Sequence, residues 1–111
     1  MKKEDLIKYF QNGCKDEKEI KIGVEHEKFL FNSKSNKRIN FKTVTKILKF
    51  LERFGWNPVK EKNNIIALNK ANKSITLEPG NQIELSGAPL NSVHENCNES
   101  YEYLSELKKA C

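Results

Sequence analysis

The sequence predicts an α+β domain in which helices pack on one face of a mostly antiparallel sheet and an acidic face is left on the other side. Residues 21–31 (KIGVEHEKFLF) and 74–89 (SITLEPGNQIELSGAP) alternate apolar and polar side chains with the period of two expected of a half-buried strand. Residues 41–54 repeat apolar side chains at intervals of three and four, which is typical of a helix facing a core. We therefore expect a single domain over residues 1–111, ordered as helix, strand, helix, several strands and helix.

Three helices are expected, and their boundaries carry recognisable signals. Gly55 ends the second helix. Ser92 and Glu95 form a capping box at the start of the third. The predicted helices are Lys3–Gln11, Phe41–Phe54 and Ser92–Lys109. Further short strands are expected near Arg38 and Ile39, at Val59, and over Ile65–Leu68.

The expected core combines one face of the strands with one side of each helix. On the last helix, the spacing of Val93, Cys97, Tyr101 and Leu104 predicts that this side is buried, with Leu107 as a further candidate. Cys97 is then a packing residue rather than a nucleophile. The predicted core contains Ile22, Val24, Ile47, Leu48, Leu51, Ile75, Leu77, Leu85, Val93 and Leu104.

Carboxylates occupy the opposite parity on two of the strands. Glu25 and Glu27 alternate with the apolar residues of the first strand, and Glu84 lies between Ile83 and Leu85. If both strands share one sheet, these carboxylates lie on its uncovered face. Oxygen ligands without His or Cys are those that Mg²⁺ prefers. From the residues alone, two interpretations stay open: solvated acids on an open sheet face, or ligands that hold a cation and so relieve the repulsion between neighbouring acids.

The hairpin around Pro79 and Gly80 leaves two further candidates undecided. Glu78 and Gln82 flank this break, and the alternation cannot be followed through it. Each side chain either faces the acidic side or is solvated in the turn. His26 has the parity of the covered face and lacks the second histidine of a zinc motif, so we expect a core residue. His94 is expected at the surface.

Composition excludes several classes of protein. No apolar run approaches the roughly 20 residues that span a bilayer, and no membrane partner is expected. The net charge is +5, but the lysines are spread along the chain rather than concentrated with arginines and aromatics, which argues against nucleic-acid binding. The 3 cysteines lack metal-binding spacing and are odd in number, which is typical of reduced thiols in a cytoplasmic protein.

Two stretches carry a family resemblance. GVEHEKF, followed some fifty residues later by LEPGNQIELSGAPL, resembles the N-terminal part of the plant and proteobacterial type of glutamate–cysteine ligase. The segments ILKFLERFGWNPV and NNIIALNKANKSIT between them are similar to the family in order and spacing. The resemblance therefore covers nearly the whole chain.

The resemblance implies a fold, a reaction and a set of ligands. It implies part of a glutamine-synthetase-like catalytic fold, in which Glu25, Glu27 and Glu84 bind Mg²⁺ or Mn²⁺. The resemblance does not decide the two residues of the hairpin: if Glu78 and Gln82 face this site, we expect them to bind the substrate glutamate or ATP. The implied reaction is the first step of glutathione synthesis, in which ATP phosphorylates the γ-carboxylate of glutamate and the amine of cysteine displaces phosphate. The implied partners are thus glutamate, cysteine and ATP, and no side chain of this chain is assigned a catalytic role.

The family's enzymes are several times longer than this chain. We therefore expect the N-terminal portion of a ligase catalytic domain, either a fragment or a truncated gene product, that is inactive alone. The alternative is a free-standing module, derived from the ligase fold, that binds a metal–nucleotide or another protein.

Overall fold

The computed structural model describes residues 2–111 as three helices and one five-stranded antiparallel sheet. The helices are α1 (Lys3–Gly13), α2 (Phe41–Leu51) and α3 (Val93–Ala110). The strands are β1 (Glu25–Lys28), β2 (Asn57–Glu61), β3 (Asn64–Lys70), β4 (Lys73–Glu78) and β5 (Gln82–Ser86). Their order across the sheet is β1-β5-β4-β3-β2, so the two stretches that predicted strands lie side by side.

Local signals set the ends of the helices, as the sequence predicts. The side chain of Asn40 accepts a hydrogen bond from the Thr43 amide, 3.0 Å away, and so caps the start of α2. One 3-10 turn, Glu52–Phe54, follows α2, and the chain leaves it at Gly55 with a φ of 85°. The predicted capping box at the start of α3 is confirmed.

A β-bulge decides which side of β3 is buried. The register between β2 and β3 shifts at Val59 and Lys60, which leaves Ile66 without a partner on the neighbouring strand. As a result Ile65 and Leu68 both reach the core although they are three residues apart, while Ile66 is exposed. Simple alternation would have put these two core residues on opposite faces.

The core lies between the sheet and the two helices α2 and α3. Side chains from all three contribute to one buried cluster, namely Val44, Ile47, Leu48, Leu51, Trp56, Ile65, Leu68, Ile75, Ile83, Leu85, Tyr103 and Leu107. Burial of the predicted core residues Ile47, Leu48, Leu51, Ile75 and Leu85 is thereby confirmed. Leu77 and Val24 are half-buried, and Ile22, at 39% exposure, lies outside the core.

The predicted buried side of α3 is wrong except at Leu107, which is buried in the core. Val93, Tyr101 and Leu104 are 62%, 78% and 38% exposed, and Cys97 is exposed as well. Together with His26 and Val24 they line a shallow surface groove. The helix is therefore rotated relative to the orientation that its apolar spacing predicts, and Cys97 is not a packing residue of the core.

Polar contacts explain this rotation. The indole Nε1 of Trp56 donates a 2.7 Å hydrogen bond to the buried carboxylate of Glu106, which also accepts from Lys70 at 3.1 Å. Glu99 and Asn96 are likewise buried on this side of α3. A buried polar group costs free energy unless it is paired, so α3 orients these side chains towards their partners. The ion pairs that join α3 to the sheet are Lys70–Glu102, Lys70–Glu106, Lys73–Glu99 and Lys73–Glu102.

Helix α1 differs from the other two in having no buried residue. Its apolar side chains Leu6, Ile7 and Phe10 are 41%, 47% and 71% exposed. Among the described residues, no helix combines the length and the apolar character needed to cross a bilayer.

Candidate metal-binding face

The pairing of β1 with β5 brings the predicted carboxylates to one face of the sheet. In this register Glu27 lies opposite Glu84, and Glu25 lies opposite Ser86. Residues that face each other across an antiparallel pair have their side chains on the same side of the sheet. Glu25, Glu27 and Glu84 therefore lie on one face, at the junction of two neighbouring strands.

The hairpin of β4 and β5 extends this face and answers the question that alternation left open. Glu84 pairs with Thr76, and Glu78 pairs with Gln82 across the turn. The parity of β5 then places Glu78 and Gln82 on the same side as Glu84. We refer to the following set as the acidic face: Glu25, Glu27, Glu78, Gln82 and Glu84.

Neutral neighbours hold three of these carboxylates. The amide nitrogen Nε2 of Gln82 donates to Oε2 of Glu27 over 2.6 Å, which links two of the predicted site residues directly. Hydroxyl groups donate to the other two carboxylates, from Thr76 to Glu78 at 3.2 Å and from Ser86 to Glu84 at 3.0 Å. These short polar contacts orient the carboxylates without neutralising their charge.

No basic side chain of the described residues forms an ion pair with the acidic face. The ion pairs of residues 2–111 all join Lys70 or Lys73 to glutamates of α3. The chain carries 20 basic and 15 acidic residues, so lysine is plentiful. Like charges directly opposite each other on neighbouring strands destabilise a sheet. The carboxylates of the acidic face therefore repel each other, and no basic side chain of residues 2–111 pairs with them to offset this repulsion.

The donor set suits a hard divalent cation, although the side chains do not enclose one. Carboxylate and amide oxygens are the ligands that Mg²⁺ takes, usually through one or two carboxylates together with water and phosphate oxygens. Within residues 2–111, no three His, Cys, Asp or Glu side chains are grouped closely enough to hold a metal ion. A cation on this face would compete with the hydroxyl and amide donors that now hold the carboxylates.

Histidine and cysteine are absent from this face, as expected. The Nε2 atom of His26 lies 3.3 Å from the hydroxyl of Ser100 on α3, so this side chain points towards the helix as predicted. It is half-buried in the surface groove and is not part of the core, so the expectation of a core residue is wrong. His94 is exposed, also as predicted. The three cysteines are free and exposed, at Cys14, Cys97 and Cys111.

The side chain of Arg38 borders the acidic face at the hairpin, and the sequence had given no reason to place it there. The guanidinium of Arg38 donates to the carbonyl oxygen of Gly80 and lies 4.3 Å from the centre of the Phe29 ring. The φ of Gly80 is 79°, a left-handed backbone conformation that favours glycine at this turn. The nearest signal in the sequence was the predicted short strand near Arg38, where the structure has an isolated bridge from Phe31 to Arg38 instead of a strand.

A cleft of about 290 Å³ opens beside Glu25, between the start of β1 and the end of β5. It is lined by Gly23, Val24, Glu25, Ser86 and Gly87. The two glycines leave backbone at the surface next to a carboxylate of the acidic face.

Comparison with known proteins identifies the family. The sequence model of Glutamate-cysteine ligase family 2 (GCS2) matches residues 21–111. The chain belongs to this family. Among curated relatives, it is 45% identical to the chloroplastic glutamate–cysteine ligase A of Oryza sativa subsp. japonica over 107 residues, which cover 96% of the chain and 22% of the rice protein.

Other plant members of the family give the same result. The chloroplastic glutamate–cysteine ligases of Medicago truncatula and Arabidopsis thaliana are 44% and 42% identical to the chain over 107 residues. In both cases the match covers 96% of the chain, but only 21% and 20% of the plant ligases. The chain thus spans about a fifth of the length of these relatives.

Proposed function

We propose that this chain is part of a glutamate–cysteine ligase that joins the γ-carboxylate of glutamate to the amine of cysteine at the expense of ATP, the first step of glutathione synthesis. Membership of the ligase family over residues 21–111 and the names of the plant relatives support the proposal. In this proposal the chain supplies the N-terminal portion of the catalytic domain. Its sheet is part of a glutamine-synthetase-like fold with the acidic face as the floor of the active site.

The observation that carries the proposal is the pairing of Glu27 with Glu84, on the same face as Glu25. Three carboxylates lie on one face at a strand junction, and none of them forms an ion pair among residues 2–111. They do not enclose a cation as they stand, but one or two carboxylates together with water and phosphate oxygens are enough for Mg²⁺. We propose that Glu25, Glu27 and Glu84 bind Mg²⁺ or Mn²⁺. Binding a cation would remove the repulsion that these side chains now carry.

The chemistry makes such a cation useful. When bound, Mg²⁺ offsets the negative charge of the ATP phosphates and of the glutamate γ-carboxylate, which otherwise repel each other. The carboxylates of this chain fix the position of the charge, and the rigid sheet holds them in place. Glu78 and Gln82 lie on the same face, where we propose that they form hydrogen bonds with glutamate or ATP.

The same proposal predicts that the chain is inactive by itself. Most contacts to the substrates would come from ligase segments outside residues 1–111, so the isolated chain should form no γ-glutamylcysteine. We propose a cytoplasmic location on the basis of its free thiols, whereas the plant relatives are named as chloroplastic.

The test uses a complete ligase that contains this segment. Glu25→Gln and Glu84→Gln keep the size of the side chain and remove one charge from the cation site. We expect turnover to fall at least about 100-fold, since metal positioning contributes several kcal/mol and each 1.4 kcal/mol is about tenfold in rate. Raising the Mg²⁺ concentration should recover part of the loss.

Glu102→Gln is the matched control. Its carboxylate lies on α3, where it pairs with Lys70 and Lys73 on the covered side of the sheet. We expect near-normal turnover from it. Normal turnover of both Glu25→Gln and Glu84→Gln would refute the metal assignment, and ligation by the isolated chain would refute the assignment as part of a larger catalytic domain.

A further inference from the structure

A buried carboxylate of α3 accepts a hydrogen bond from the start of the connector between β5 and α3, residues 87–92. The backbone N–H of Ala88 donates to both carboxylate oxygens of Glu99, at 3.1 and 3.2 Å. Glu99 lies on α3 and is 7% exposed. An irregular segment has no ladder to satisfy its amides, so this contact replaces a backbone partner that the end of β5 no longer provides.

The packing around this contact leaves no room for a side chain at Gly87, the first residue of the connector. The amide of Gly87 donates to the carbonyl oxygen of Val24 over 2.8 Å, which extends the β1–β5 ladder by one bond beyond the strands. A Cβ on Gly87 would collide with Oε1 of Glu99 and would lie 2.8 Å from the same carbonyl oxygen of Val24. The carboxylate of Glu99 therefore contacts the backbone immediately after Gly87, where the chain leaves β5 beside the start of β1.

Residue order connects this contact to the acidic face. Val24 directly precedes Glu25, and Gly87 directly follows Ser86, which pairs with Glu25 in the register of the sheet. We propose that Glu99 is a positioning residue, which holds the connector against β1 and so fixes the spacing between Glu25 and Glu84. This inference rests on the proposed function of these two carboxylates as cation ligands.

A second side chain of α3, Asn96, contacts the segment that leads into β1. The side-chain amide of Asn96 donates to the carbonyl oxygen of Ile22 over 3.3 Å, and Ile22 forms a bridge with Leu90 of the connector. One helix turn thus binds both backbone segments that lead into and out of the cation site. This arrangement explains why α3 buries polar side chains where its apolar spacing predicted burial of Val93 and Leu104.

Glu99 is not itself a ligand of the proposed cation site, because its charge is paired with a lysine. Its Oε2 lies 3.7 Å from Nζ of Lys73, and the Lys73 side chain is 12% exposed. Lys73 also pairs with Glu102, at 3.3 Å. Glu99 is already paired and lies on the helix side of the sheet, so it acts on the site through the backbone and not as a ligand.

The experiment compares two properties of the 111-residue chain in the wild type, Glu99→Gln and Glu102→Gln. Amide hydrogen exchange at Ala88 reports the local contact, with the amide of the core residue Ile75 as the internal reference for global unfolding. The dissociation constant for Mn²⁺, from electron paramagnetic resonance of the free ion, reports the cation site. Glutamine at position 99 keeps the shape of the side chain but loses the charge and one of the two acceptor oxygens.

We expect Glu99→Gln to speed exchange at Ala88 at least about fivefold relative to Ile75 and to weaken Mn²⁺ binding by a similar factor. Glu102→Gln breaks a pair with the same Lys73 but does not touch the connector, so it should change neither ratio. Gly87→Ala keeps every charge and displaces the connector from Glu99, and it should weaken Mn²⁺ binding as Glu99→Gln does. This second variant keeps the test valid if Glu99→Gln fails to fold.

The outcomes separate the two proposals. Equal acceleration of exchange at Ala88 and Ile75, or Mn²⁺ affinity in Glu99→Gln and Gly87→Ala equal to that of Glu102→Gln, would overturn the positioning role while leaving the cation site intact. A wild-type chain that does not bind Mn²⁺ would overturn the cation site itself and with it the role of Glu99.

Discussion

Glu27 and Glu84 lie directly opposite each other on the neighbouring strands β1 and β5. Their side chains share a face with Glu25, and the described residues supply no lysine or arginine to pair with any of the three. A protein that uses its sheet only as a scaffold would gain stability from a lysine at one of these positions. The proposed ligase function gives a reason for the acids, because in that proposal they bind a divalent cation.

The first prediction concerns the stability that this arrangement costs. Glu84→Gln should raise the free energy of unfolding of the chain by about 0.2–1 kcal/mol in low salt without added metal, because it removes one partner of a like-charge pair. The gain should shrink in high salt, where exposed charges are screened. Urea unfolding at two ionic strengths measures both effects.

The control for this prediction is again on α3. Glu102→Gln removes the partner of two lysines, so it should lower the free energy of unfolding or leave it unchanged. A loss of stability in Glu84→Gln equal to that in Glu102→Gln would show that the carboxylate of Glu84 has a cationic partner.

The second prediction tests the orientation of α3. Leu48→Ala should cost about 2–5 kcal/mol, because Leu48 is completely buried. Leu104→Ala should cost less than about 1 kcal/mol, because Leu104 is 38% exposed although its spacing predicts burial. Chemical denaturation of both variants measures the difference, and equal losses would mean that α3 packs on the side that its apolar spacing indicates.

The third prediction concerns Tyr103, which is 1% exposed and whose hydroxyl has no hydrogen-bond partner among the described residues. Burial, and then the nearby Cys111 thiol, raise the pKa of Tyr103 above its usual range. In the unfolded chain this tyrosine has a pKa of about 10. Below that pH both states hold the proton. Above it only the unfolded state releases the proton, so stability falls as the pH rises beyond about 10.

Tyr103→Phe isolates this contribution. The variant removes an unpaired buried hydroxyl, so at pH 7 it should be as stable as the wild type or more stable by about 1 kcal/mol. Its advantage should widen between pH 10 and 11, because it has no proton to lose at this position. Urea unfolding from pH 7 to pH 11 measures the difference, and an advantage that stays constant over this range would contradict a raised pKa.

Much of the fold follows from patterns that need only local information. The alternation around Glu25 and Glu84 predicted two strands with carboxylates on a common face, and in the structure the two strands are neighbours that pair Glu27 with Glu84. The helix from Phe41 and the capping box at Ser92 were also predictable, because capping depends on neighbouring residues alone. Gly55 ended the second helix as expected.

The orientation of α3 could not be predicted because it depends on partners distant in sequence. Apolar spacing favoured Leu104, whereas Glu106 is buried by a hydrogen bond from Trp56, 50 residues away. Glu99 was missed in the same way, since its partner is a backbone amide in the connector. Glu106 lies three positions from Tyr103 and both are buried, but nothing in the sequence around them indicates that a carboxylate would be buried there.

The candidate site shows the same division between local and long-range information. Strand parity assigned Glu25, Glu27 and Glu84 to one face but could not decide Glu78 and Gln82, because the turn between their strands interrupts the alternation. The antiparallel pairing of Glu78 with Gln82 settles their side of the sheet.

The most direct test of the central claim is a Mn²⁺ titration of the isotopically labelled chain, followed by the paramagnetic broadening of its backbone amide signals. At Mn²⁺ concentrations on the order of 1 mM, which suit a weak oxygen-ligand site, we expect the amides of residues 25–27 and 84–86 to broaden first. The double variant Glu27→Gln, Glu84→Gln should lose this broadening. Broadening that begins at the acids of α1, Glu4 and Asp5, or that persists unchanged in the double variant, would contradict a cation site on the acidic face.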